Sequence, residues 1–356
     1  MRAEDLEDKI KRNRAFWERA EVPRPLLGIT GTYFPVEALA AVAPTAAHLS
    51  PDDIDIEASL AACDREYESR REVMADLVWA AGALCGFPWV AAILGCKVYR
   101  AEDTFWREPV LADWAQLPSL RPSPDNPWLR KLRQVTAALV SHAQGRYPVG
   151  PSLALGPVSV AASLRGPHQL ALDLYDYPAQ VRELLATCTE ACVAAGLAQI
   201  ELLPRFHGGA VNPIRHVWAP HWPTETQEDE AFMFSPEMHR RFLLQSQVQL
   251  GRALPGAYIH LHGTQLHTLD AIVEVAELAA IEITPDVGQS ALELVPAIRK
   301  ALARKPVLVH GFISLPEMRE LMACLPARGL CLATRTDSPA AAAEMMAQLS
   351  ADGRCG

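Results

Sequence analysis

Hydrophobic and polar positions in the second half of the chain fall into blocks whose lengths alternate between those of a strand and of a helix. Short, nearly continuous apolar segments predict four strands, near residues 257–263, 279–285, 306–312 and 329–336. An amphipathic segment follows each strand, and another precedes the first, with Ser235 as N-cap and Pro236 in the first turn. This order predicts four consecutive strand–helix units.

Strict strand–helix alternation is typical of a parallel sheet covered by helices. The predicted strands are apolar along most of their length, as expected when both faces of a strand are buried. Their polar residues collect toward the carboxyl ends, where barrels and doubly wound sheets carry their chemistry. These residues are His260, His262, Glu282, His310 and Arg335.

The first half of the chain is less regular but fits the same scheme. Strands are predicted at residues 25–31, at 90–95, within 151–166 and between 206 and 217. Helices are predicted at residues 56–82, 128–144 and 178–203, with a hairpin or excursion at 99–114. The eight strands predict an α/β fold, a (β/α)8 TIM barrel in a single domain. This domain is expected to span residues 25–350, after a helical N-terminal extension at residues 1–24.

Charge and composition argue against several classes of protein. The net charge is −9 and no basic stripe is interleaved with aromatic residues, so a nucleic-acid partner is not expected. No apolar run reaches the roughly 20 residues that span a bilayer, and the N-terminus is too charged for a signal peptide. Eight cysteines without a Cys-x-x-Cys pair are typical of packed, reduced thiols. We expect a cytoplasmic enzyme that does not bind membranes.

The most specific local pattern is His260-Leu261-His262 on the fifth predicted strand. Residues two apart on a strand point to the same face, so both imidazoles are expected to face the barrel interior. Two neutral imidazoles can share a zinc ion with a ligand from a neighbouring strand. Glu282 is the first candidate for that ligand and Asp286 the other. Alternatively, the histidines hydrogen-bond to neighbours or bind substrate without a metal.

A second cluster combines imidazole and indole side chains between residues 215 and 222. His216, Trp218, His221 and Trp222 are interpreted as pocket residues, with indole faces against a planar or apolar ligand. The imidazoles or Arg215, the first residue of the cluster, would contact the polar groups of this ligand. The alternative is a loop whose tryptophans cap the barrel. The acidic run that follows, residues 228–230, is interpreted as a solvated face.

Two further polar residues end the seventh and eighth predicted strands, where barrel side chains contact substrate. We assign His310 a catalytic role together with His260 and His262, and we assign Arg335 to substrate binding. The sequence contains no phosphate-binding loop, dinucleotide fingerprint, Gly-x-Ser-x-Gly elbow or His-Glu-x-x-His helix.

Five segments occur in an order and spacing typical of a known superfamily. They read RAFWERAEVPRPLLGITG, WREPVLADWAQLPSL, GPVSVAASLRGPHQLALDLYDYPAQVRELL, FMFSPEMHRRF and YIHLHGTQLHTLD. Together they resemble the uroporphyrinogen decarboxylase superfamily, nearest to its corrinoid:coenzyme M methyltransferase-like branch. The resemblance covers most of the chain and implies a (β/α)8 barrel, in agreement with the strand count.

The resemblance also implies a metal site. The methyltransferase branch binds zinc through a His-x-Cys motif after the fifth strand and a cysteine near the eighth. Here His260 matches the histidine, His262 stands where the branch has cysteine, and Glu282 is the candidate acidic ligand. The eighth strand ends in ATRTDSP, which lacks the last cysteine. True uroporphyrinogen decarboxylases hold substrate carboxylates with an N-terminal arginine-containing segment, and LLGITGTYFP has no such arginine.

The leading hypothesis is therefore a methyltransferase or demethylase component of a corrinoid-dependent system. It implies a zinc cofactor, a small-molecule substrate, and a partner protein that supplies the corrinoid. Two alternatives stay open. One is a metal-free, uroporphyrinogen decarboxylase-like lyase in which His and Arg side chains stabilise a developing charge. The other is a non-catalytic protein that binds a tetrapyrrole or corrinoid.

Overall fold

The structure, a computed structural model, describes residues 3–31, 36–45, 47–153 and 155–351. The strands are β1 (Leu26–Thr30), β2 (Ala81–Gly82), β3 (Lys97–Arg100), β4 (Phe105–Glu108), β5 (Val149–Gly150), β6 (Ala210–Val211), β7 (Trp218–Ala219), β8 (Glu225–Gln227), β9 (Tyr258–His262), β10 (Ile281–Thr284), β11 (Val307–Gly311) and β12 (Leu330–Arg335). The helices are α1 (Ala3–Trp17), α2 (Val36–Ala40), α3 (Ile56–Arg70), α4 (Trp89–Ile93), α5 (Pro127–Ala143), α6 (Pro157–Arg165), α7 (Pro167–Asp176), α8 (Pro178–Ile200), α9 (Pro236–Met238), α10 (Leu244–Ala253), α11 (Leu269–Ile272), α12 (Val295–Leu302), α13 (Leu315–Cys324) and α14 (Pro339–Ala351).

Six parallel strands form the central sheet, in the order β1-β12-β11-β10-β9-β8. Two further strand positions complete the ring, because β2 and β5 pair in parallel. Leu155, after β5, forms an isolated parallel bridge to Gln227 of β8, and Ala75, before β2, forms an isolated antiparallel bridge to Gly28 of β1. Apart from this last bridge, strands that follow one another around the ring pair in parallel, which is the arrangement of a (β/α)8 barrel, as the sequence predicts.

The strand predictions in the second half of the chain are confirmed. The four apolar segments form β9 to β12, which pair in sequence order. In the β9–β10 register, Glu282 lies beside His260 and Thr284 beside His262. The polar residues at the strand ends therefore collect at one end of the barrel. The predicted hairpin is also present, as the antiparallel pair of β3 and β4.

The first half contains two strand predictions that are wrong. Residues 90–95 belong largely to the buried helix α4, because a short apolar run suits a buried helix as well as a strand. The second strand is β2, which lies in the segment predicted as the end of a long helix, since α3 ends at Arg70. The fourth strand is β8. Residues 206–217 instead contain β6, which pairs with β7 outside the barrel sheet.

The composition of β8 explains why its position was missed. Its three residues, Glu225, Thr226 and Gln227, are all polar and all buried. A search for apolar segments cannot find such a strand. The third strand shows a smaller difference, because β5 precedes the predicted segment 151–166, most of which forms the helix α6.

The helix α8 is long and apolar enough to cross a membrane by length and composition. However, 61% of its most apolar window is buried against the rest of the protein. Such burial is typical of a core helix. Helices α4, α5, α6 and α10 pack against α8, which accounts for its apolar surface.

A buried carboxylate joins the N-terminal helix to the barrel. Asp76 is 3% exposed and accepts hydrogen bonds from Arg24 at 2.6 and 3.0 Å and from Arg12 at 3.1 Å. It also accepts from the backbone N–H of Leu27 on β1 at 2.8 Å. Asn13 on α1 donates to the carbonyl oxygen of Asp76 at 2.9 Å. Asp76 thus holds α1, β1 and the segment before β2 together.

Replacement of Asp76 by alanine is expected to lower the free energy of unfolding by about 3 kcal/mol, because Arg12 and Arg24 lose the carboxylate that compensates their charge. Urea denaturation followed by circular dichroism measures the change. Glu201→Ala is the matched control, since it removes an exposed pair with Arg133 and should cost less than about 1 kcal/mol. Equal losses in the two variants would contradict the anchoring role of Asp76.

Candidate active site

A cavity of about 310 Å³ opens at the carboxyl ends of the barrel strands. This volume is at the low end for ligand pockets, which favours a small molecule as the occupant. Residues at the strand ends and residues from loops and helices share its lining. The lining includes Thr30, Gly31, Arg70, Trp79, Phe87, Phe105, Arg107, Ser159, Arg215, His216, Glu225, Gln227, Asp229, Glu230, His310 and Arg335.

The side chain of Arg215 lies at the centre of a buried polar network. It donates to Oε1 of Glu225 at 2.9 Å, and the same nitrogen lies 3.2 Å from Oε2 of Glu282. Its other terminal nitrogen donates to Nδ1 of His310 at 3.1 Å. The hydroxyl of Tyr258 donates to Oε2 of Glu225 at 2.8 Å. One guanidinium therefore compensates two carboxylates that are almost completely shielded from solvent.

A turn at Asn212 directs Arg215 into the barrel. Oδ1 of Asn212 accepts hydrogen bonds from the backbone N–H groups of Ile214 at 2.8 Å and Arg215 at 2.7 Å. Its Nδ2 donates to the carbonyl oxygen of Pro223 at 2.9 Å. This side-chain turn, which asparagine favours, fixes the backbone from which Arg215 extends.

His216 faces the cavity from the next position and stacks on Trp79, with ring centroids 6.2 Å apart and an interplanar angle of 18°. Burial, followed by the charges of Arg70 and Arg215, lowers the pKa of His216 to about 3, so this imidazole is neutral at pH 7. Its Nδ1 accepts the N–H of Ala80 at 3.2 Å. The proton of the neutral ring is therefore on Nε2.

His310 is neutral for similar reasons. Burial, with the charges of Arg215 and Arg335, lowers the pKa of His310 well below its usual range. Because Nδ1 accepts from Arg215, the proton is on Nε2, which lies 2.9 Å from the hydroxyl oxygen of Thr30. His310 is thus fixed in one tautomer at the cavity wall.

Glu282 is ionised and holds His260 in one tautomer. Burial alone would raise the pKa of Glu282, but Arg215 and His260 hold it well below its usual range. Oε1 of Glu282 accepts from the hydroxyl of Thr284 at 2.7 Å, and Oε2 contacts Nδ1 of His260. A terminal nitrogen of Arg215, which can only donate, also lies 3.1 Å from Nδ1 of His260, but the contact with the carboxylate is the shorter one. A carboxylate only accepts hydrogen bonds, so Nδ1 of His260 carries the proton. Its Nε2 consequently presents a lone pair.

Three side chains with available ligand atoms converge on the other side of His260. Nε2 of His260 and Oδ1 of Asp229 are buried and have no hydrogen-bond partner among the described residues. Nε2 of His262 lies 3.8 Å from Oδ1 of Asp229. One ligand atom from each of the three lies within 4.8 Å of the other two. Two imidazoles and a carboxylate at this separation fit a tetrahedral zinc ion with one position left open.

Each of these imidazoles has a carboxylate on its far nitrogen. Glu282 contacts Nδ1 of His260, and Oδ1 of Asp286 lies 3.0 Å from Nδ1 of His262. The second carboxylate oxygen of Asp286 accepts the backbone N–H of Thr264 at 2.8 Å. In zinc sites such carboxylates fix the tautomer of the ligating histidine and raise its basicity. The arrangement therefore suits a metal held on the Nε2 side of both rings.

A second group of possible ligands, formed by Glu225, His260 and Glu282, lies within the same ligand distance. Here the cationic Arg215 already lies within 2.9 Å of Glu225 and 3.2 Å of Glu282. A metal cation at this position would be repelled by the guanidinium and would compete with it for both carboxylates. The group with Asp229 is therefore the better metal site.

The structure brings most of the sequence-predicted site residues together, with one change of position. His260 and His262 lie side by side, with ring centroids 4.8 Å apart. His216, His310 and Arg335 line the cavity. Glu282 lies on the Nδ1 side of His260, away from the free ligand atoms, and Asp229 occupies the position expected for a carboxylate ligand.

Three residues predicted to line the pocket lie elsewhere. Trp218 is fully buried and its Nε1 donates to the carbonyl oxygen of Phe206 at 2.8 Å. His221 packs edge-on against Trp17 of α1, with centroids 4.6 Å apart, and Trp222 packs against the main core. The described residues that line the cavity do not include these three. Their direction follows from the β6–β7 pair, which carries this segment to α1.

The acidic run 228–230 is not a solvated face, contrary to the interpretation from the sequence. It follows β8 directly, so its residues lie at the carboxyl end of a barrel strand. Glu228 is 1% exposed and accepts the N–H of Val158 at 2.8 Å, at the start of α6. Asp229 and Glu230 line the cavity, and Ser159 contacts Glu230 through its hydroxyl.

Sequence reasoning missed several residues that build the site. Asp229 and Glu225 would have followed from the correct position of the fourth strand. Arg70 lies at the end of α3, which was predicted to continue for another three turns, and this prediction hid its position at the cavity. Arg215 belongs to the cluster of residues 215–222, but its central, buried position does not follow from the sequence, since an arginine in a loop is usually exposed.

Comparisons with known proteins agree with this architecture. Residues 80–203 match the family model described as Uroporphyrinogen decarboxylase (URO-D). Over these residues the predicted resemblance to the uroporphyrinogen decarboxylase superfamily is confirmed. A methyltransferase from Methanosarcina mazei has the same fold, with a TM-score of 0.68 over 97% of this chain and 98% of that chain. Its sequence identity is 14%, so this likeness concerns the fold.

Neither comparison identifies the reaction that the residues of the site carry out. The family match ends at residue 203, before Arg215, Asp229 and the histidine pair of this uroporphyrinogen decarboxylase-like chain. No curated protein matches the chain in sequence. The function has to be argued from the side chains of the cavity.

Glu228 generates a prediction about pH. Burial raises the pKa of this carboxyl from 4.5 to about 8, so the folded protein binds a proton that the unfolded chain releases. This contribution to stability is complete below about pH 4.5 and is lost as the pH rises toward 8. Glu228→Gln should therefore be more stable than the wild type at pH 8, by about 2 kcal/mol, and should match it near pH 5. Thermal unfolding across this range measures the difference, and parallel curves would contradict the buried, protonated carboxyl.

Proposed function

We propose that the chain is the methyltransferase or demethylase component of a corrinoid-dependent system, with a zinc ion bound by Asp229, His260 and His262. The superfamily resemblance and the methyltransferase fold support methyl transfer as the class of reaction. One observation carries the proposal. Nε2 of His260 and Oδ1 of Asp229 are buried, have no hydrogen-bond partner among the residues that the structure describes, and lie close to His262.

The donor set determines what the metal would contribute. When bound, zinc would act as a Lewis acid that activates a thiol acceptor or polarises the oxygen that bears a methyl group. Glu282 and Asp286 hold the Nδ1 atoms of the two histidines, so both rings present their ligand lone pair on Nε2. Arg215 keeps Glu282 ionised, which preserves the proton on Nδ1 of His260.

The remaining cavity residues would bind and shield the substrate. Trp79, Phe87 and Phe105 contribute apolar ring surfaces to the cavity lining, which limits the contact of a bound substrate with water. His216 and His310 are neutral, so neither adds positive charge at the wall. His216 places an Nε2–H donor there, whereas the Nε2–H of His310 is directed at the hydroxyl of Thr30. Such fixed donors can stabilise negative charge on a leaving or attacking atom.

The corrinoid would remain on a partner protein. A cavity of about 310 Å³ suits a small substrate and is too small to enclose a corrinoid macrocycle. The loops after β8, β10 and β11 carry the exposed apolar residues Phe232, Val287 and Phe312 at the end of the barrel where the cavity opens. Exposed apolar residues around an opening are typical of a docking surface.

A second candidate function is a metal-free lyase that resembles uroporphyrinogen decarboxylase. It is favoured by Arg70 and Arg335, which supply positive charge in a cavity that also holds two neutral histidines. The discriminating measurement is turnover in the presence of a chelator, which leaves the lyase unaffected and stops zinc-dependent methyl transfer. The cavity volume does not favour the third hypothesis, a non-catalytic tetrapyrrole-binding protein.

Metal content tests the proposed function. We expect the wild type to retain close to one zinc per chain after dialysis against zinc and then against buffer. His260→Ala, His262→Ala and Asp229→Ala should each lose most of it, because each removes one of only three protein ligands. Asp286→Asn should weaken zinc binding about 10- to 100-fold, because His262 loses its orienting carboxylate. Elemental analysis and competition with a chromogenic chelator give both quantities.

The matched control is His267→Ala. His267 is an exposed histidine in the same segment. Within the part of the chain that the structure describes, its ring nitrogens hydrogen-bond to the carbonyl oxygens of Thr264 and Phe234, so the variant should retain zinc. A wild type that holds no zinc, or an Asp229→Ala variant that binds it as tightly as the wild type, would contradict the proposed metal centre.

A further inference from the structure

Two arginines stand at one end of the cavity. Arg335, the last residue of β12, pairs in register with Thr30, the last residue of β1. The guanidinium of Arg70 packs against Gly31, the residue after Thr30. A Cβ atom on Gly31 would lie 2.5 Å from Cζ of Arg70. A side chain at position 31 would thus displace Arg70. Both guanidinium-bearing residues therefore flank the carboxyl end of the same barrel strand.

Arg70 is well placed to bind an anion. Its Nε donates to Oε2 of Glu66 at 2.9 Å, while its terminal nitrogens make no hydrogen bond among the described residues. The side chain of Arg70 is only 10% exposed, and it lines the cavity. A mostly buried guanidinium with unused N–H groups is suited to bidentate binding of a carboxylate.

The middle of the cavity is aromatic. Trp79 and the stacked His216 form one side, and Phe87 and Phe105, whose rings are 5.1 Å apart, contribute another. Flat ring faces and edges of this kind pack well against a planar ring. Aliphatic side chains make a smaller contribution to this lining, with Leu155 and Ile214 as examples.

The opposite end of the cavity carries the carboxylates of Asp229 and Glu230 and adjoins the candidate metal centre. Arg107 also lines the cavity and offsets part of the charge of Glu230. Asp229 offers its Oδ1 to the two histidines. The cavity thus has a cationic end, an aromatic middle and an end at which a metal would bind. A ligand that fills it must match all three parts.

We propose that the substrate is an aromatic carboxylate whose carboxylate binds Arg70 and Arg335, whose ring packs against Trp79, and whose reacting substituent points to Asp229. This inference rests on the proposed function for the position of the reacting substituent. The cationic and aromatic parts stand on their own geometry. The cavity volume of about 310 Å³ accommodates one benzene ring with short substituents.

Binding to the metal-free protein tests the proposal. The probes are 4-methoxybenzoate and its neutral analogue 4-methoxybenzamide, which have nearly the same shape, measured by isothermal titration calorimetry. We expect the carboxylate to bind about tenfold or more tightly than the amide. Arg70→Gln and Arg335→Gln should each weaken carboxylate binding by about 10- to 100-fold and leave amide binding nearly unchanged. Arg133→Gln, which alters an exposed arginine outside the cavity, is the control and should behave as wild type.

Two results would overturn the proposal: equal binding of the carboxylate and the amide by wild type, or an undiminished preference for the carboxylate in both arginine variants. Failure of the proposed function gives a different result. His260→Ala should lose zinc but keep the preference for the carboxylate, because His260 lies outside the cationic end. If the wild type binds zinc but does not prefer the carboxylate over the amide, only the substrate proposal is contradicted. If it prefers the carboxylate but binds no zinc, only the proposed metal centre is contradicted.

Discussion

The contact between Arg215 and the carboxylates of Glu225 and Glu282 is the constraint on which the site depends. All three side chains are almost completely buried, so each charge is tolerable only because the others are present. Glu282 stays ionised beside the guanidinium and in turn fixes the proton on Nδ1 of His260. The same guanidinium donates to Nδ1 of His310 and leaves the proton of that ring on Nε2. One loop residue therefore sets the tautomers of two histidines on different strands.

This network also explains why one end of the barrel can attract a cation although arginines lie nearby. Arg215 is already compensated by two carboxylates, and it blocks the space between them against a metal. Asp229 lies outside this network, next to the Nε2 atoms of His260 and His262. Across the cavity, the one ion pair of Arg70 among the described residues is with Glu66. The result is a cavity with positive charge at one end and a candidate metal centre at the other, which favours a substrate with two different ends.

The sequence predicts the parts of this arrangement that depend on local pattern. The apolar strands β9 to β12 follow from their composition, and the two-residue period of a strand correctly places His260 beside His262. The position of β8 could not be predicted from an apolar pattern, because its three residues are polar. They contribute to the cavity and to the contact with Arg215 and not to the hydrophobic core. Asp229 was missed together with that strand.

Other features depend on contacts between segments far apart in the chain. Arg215 lies 67 residues before Glu282, and only the closed barrel brings them together. Trp218 resembles a pocket residue in the sequence, yet β6 and β7 turn it toward α1, where its backbone N–H is bound by Asn13. Such outcomes are decided by tertiary packing, which hydrophobic period and local motifs do not encode.

The most direct test of the account is a crystal structure of the zinc-soaked protein with anomalous data collected at the zinc absorption edge. The account predicts one peak between β8 and β9, bound by Nε2 of His260, Nε2 of His262 and a carboxylate oxygen of Asp229, at about 2.0–2.2 Å. Glu282 and Asp286 should remain on the Nδ1 atoms. A peak bound instead by Glu225 and Glu282, or no peak beside His260, would contradict it.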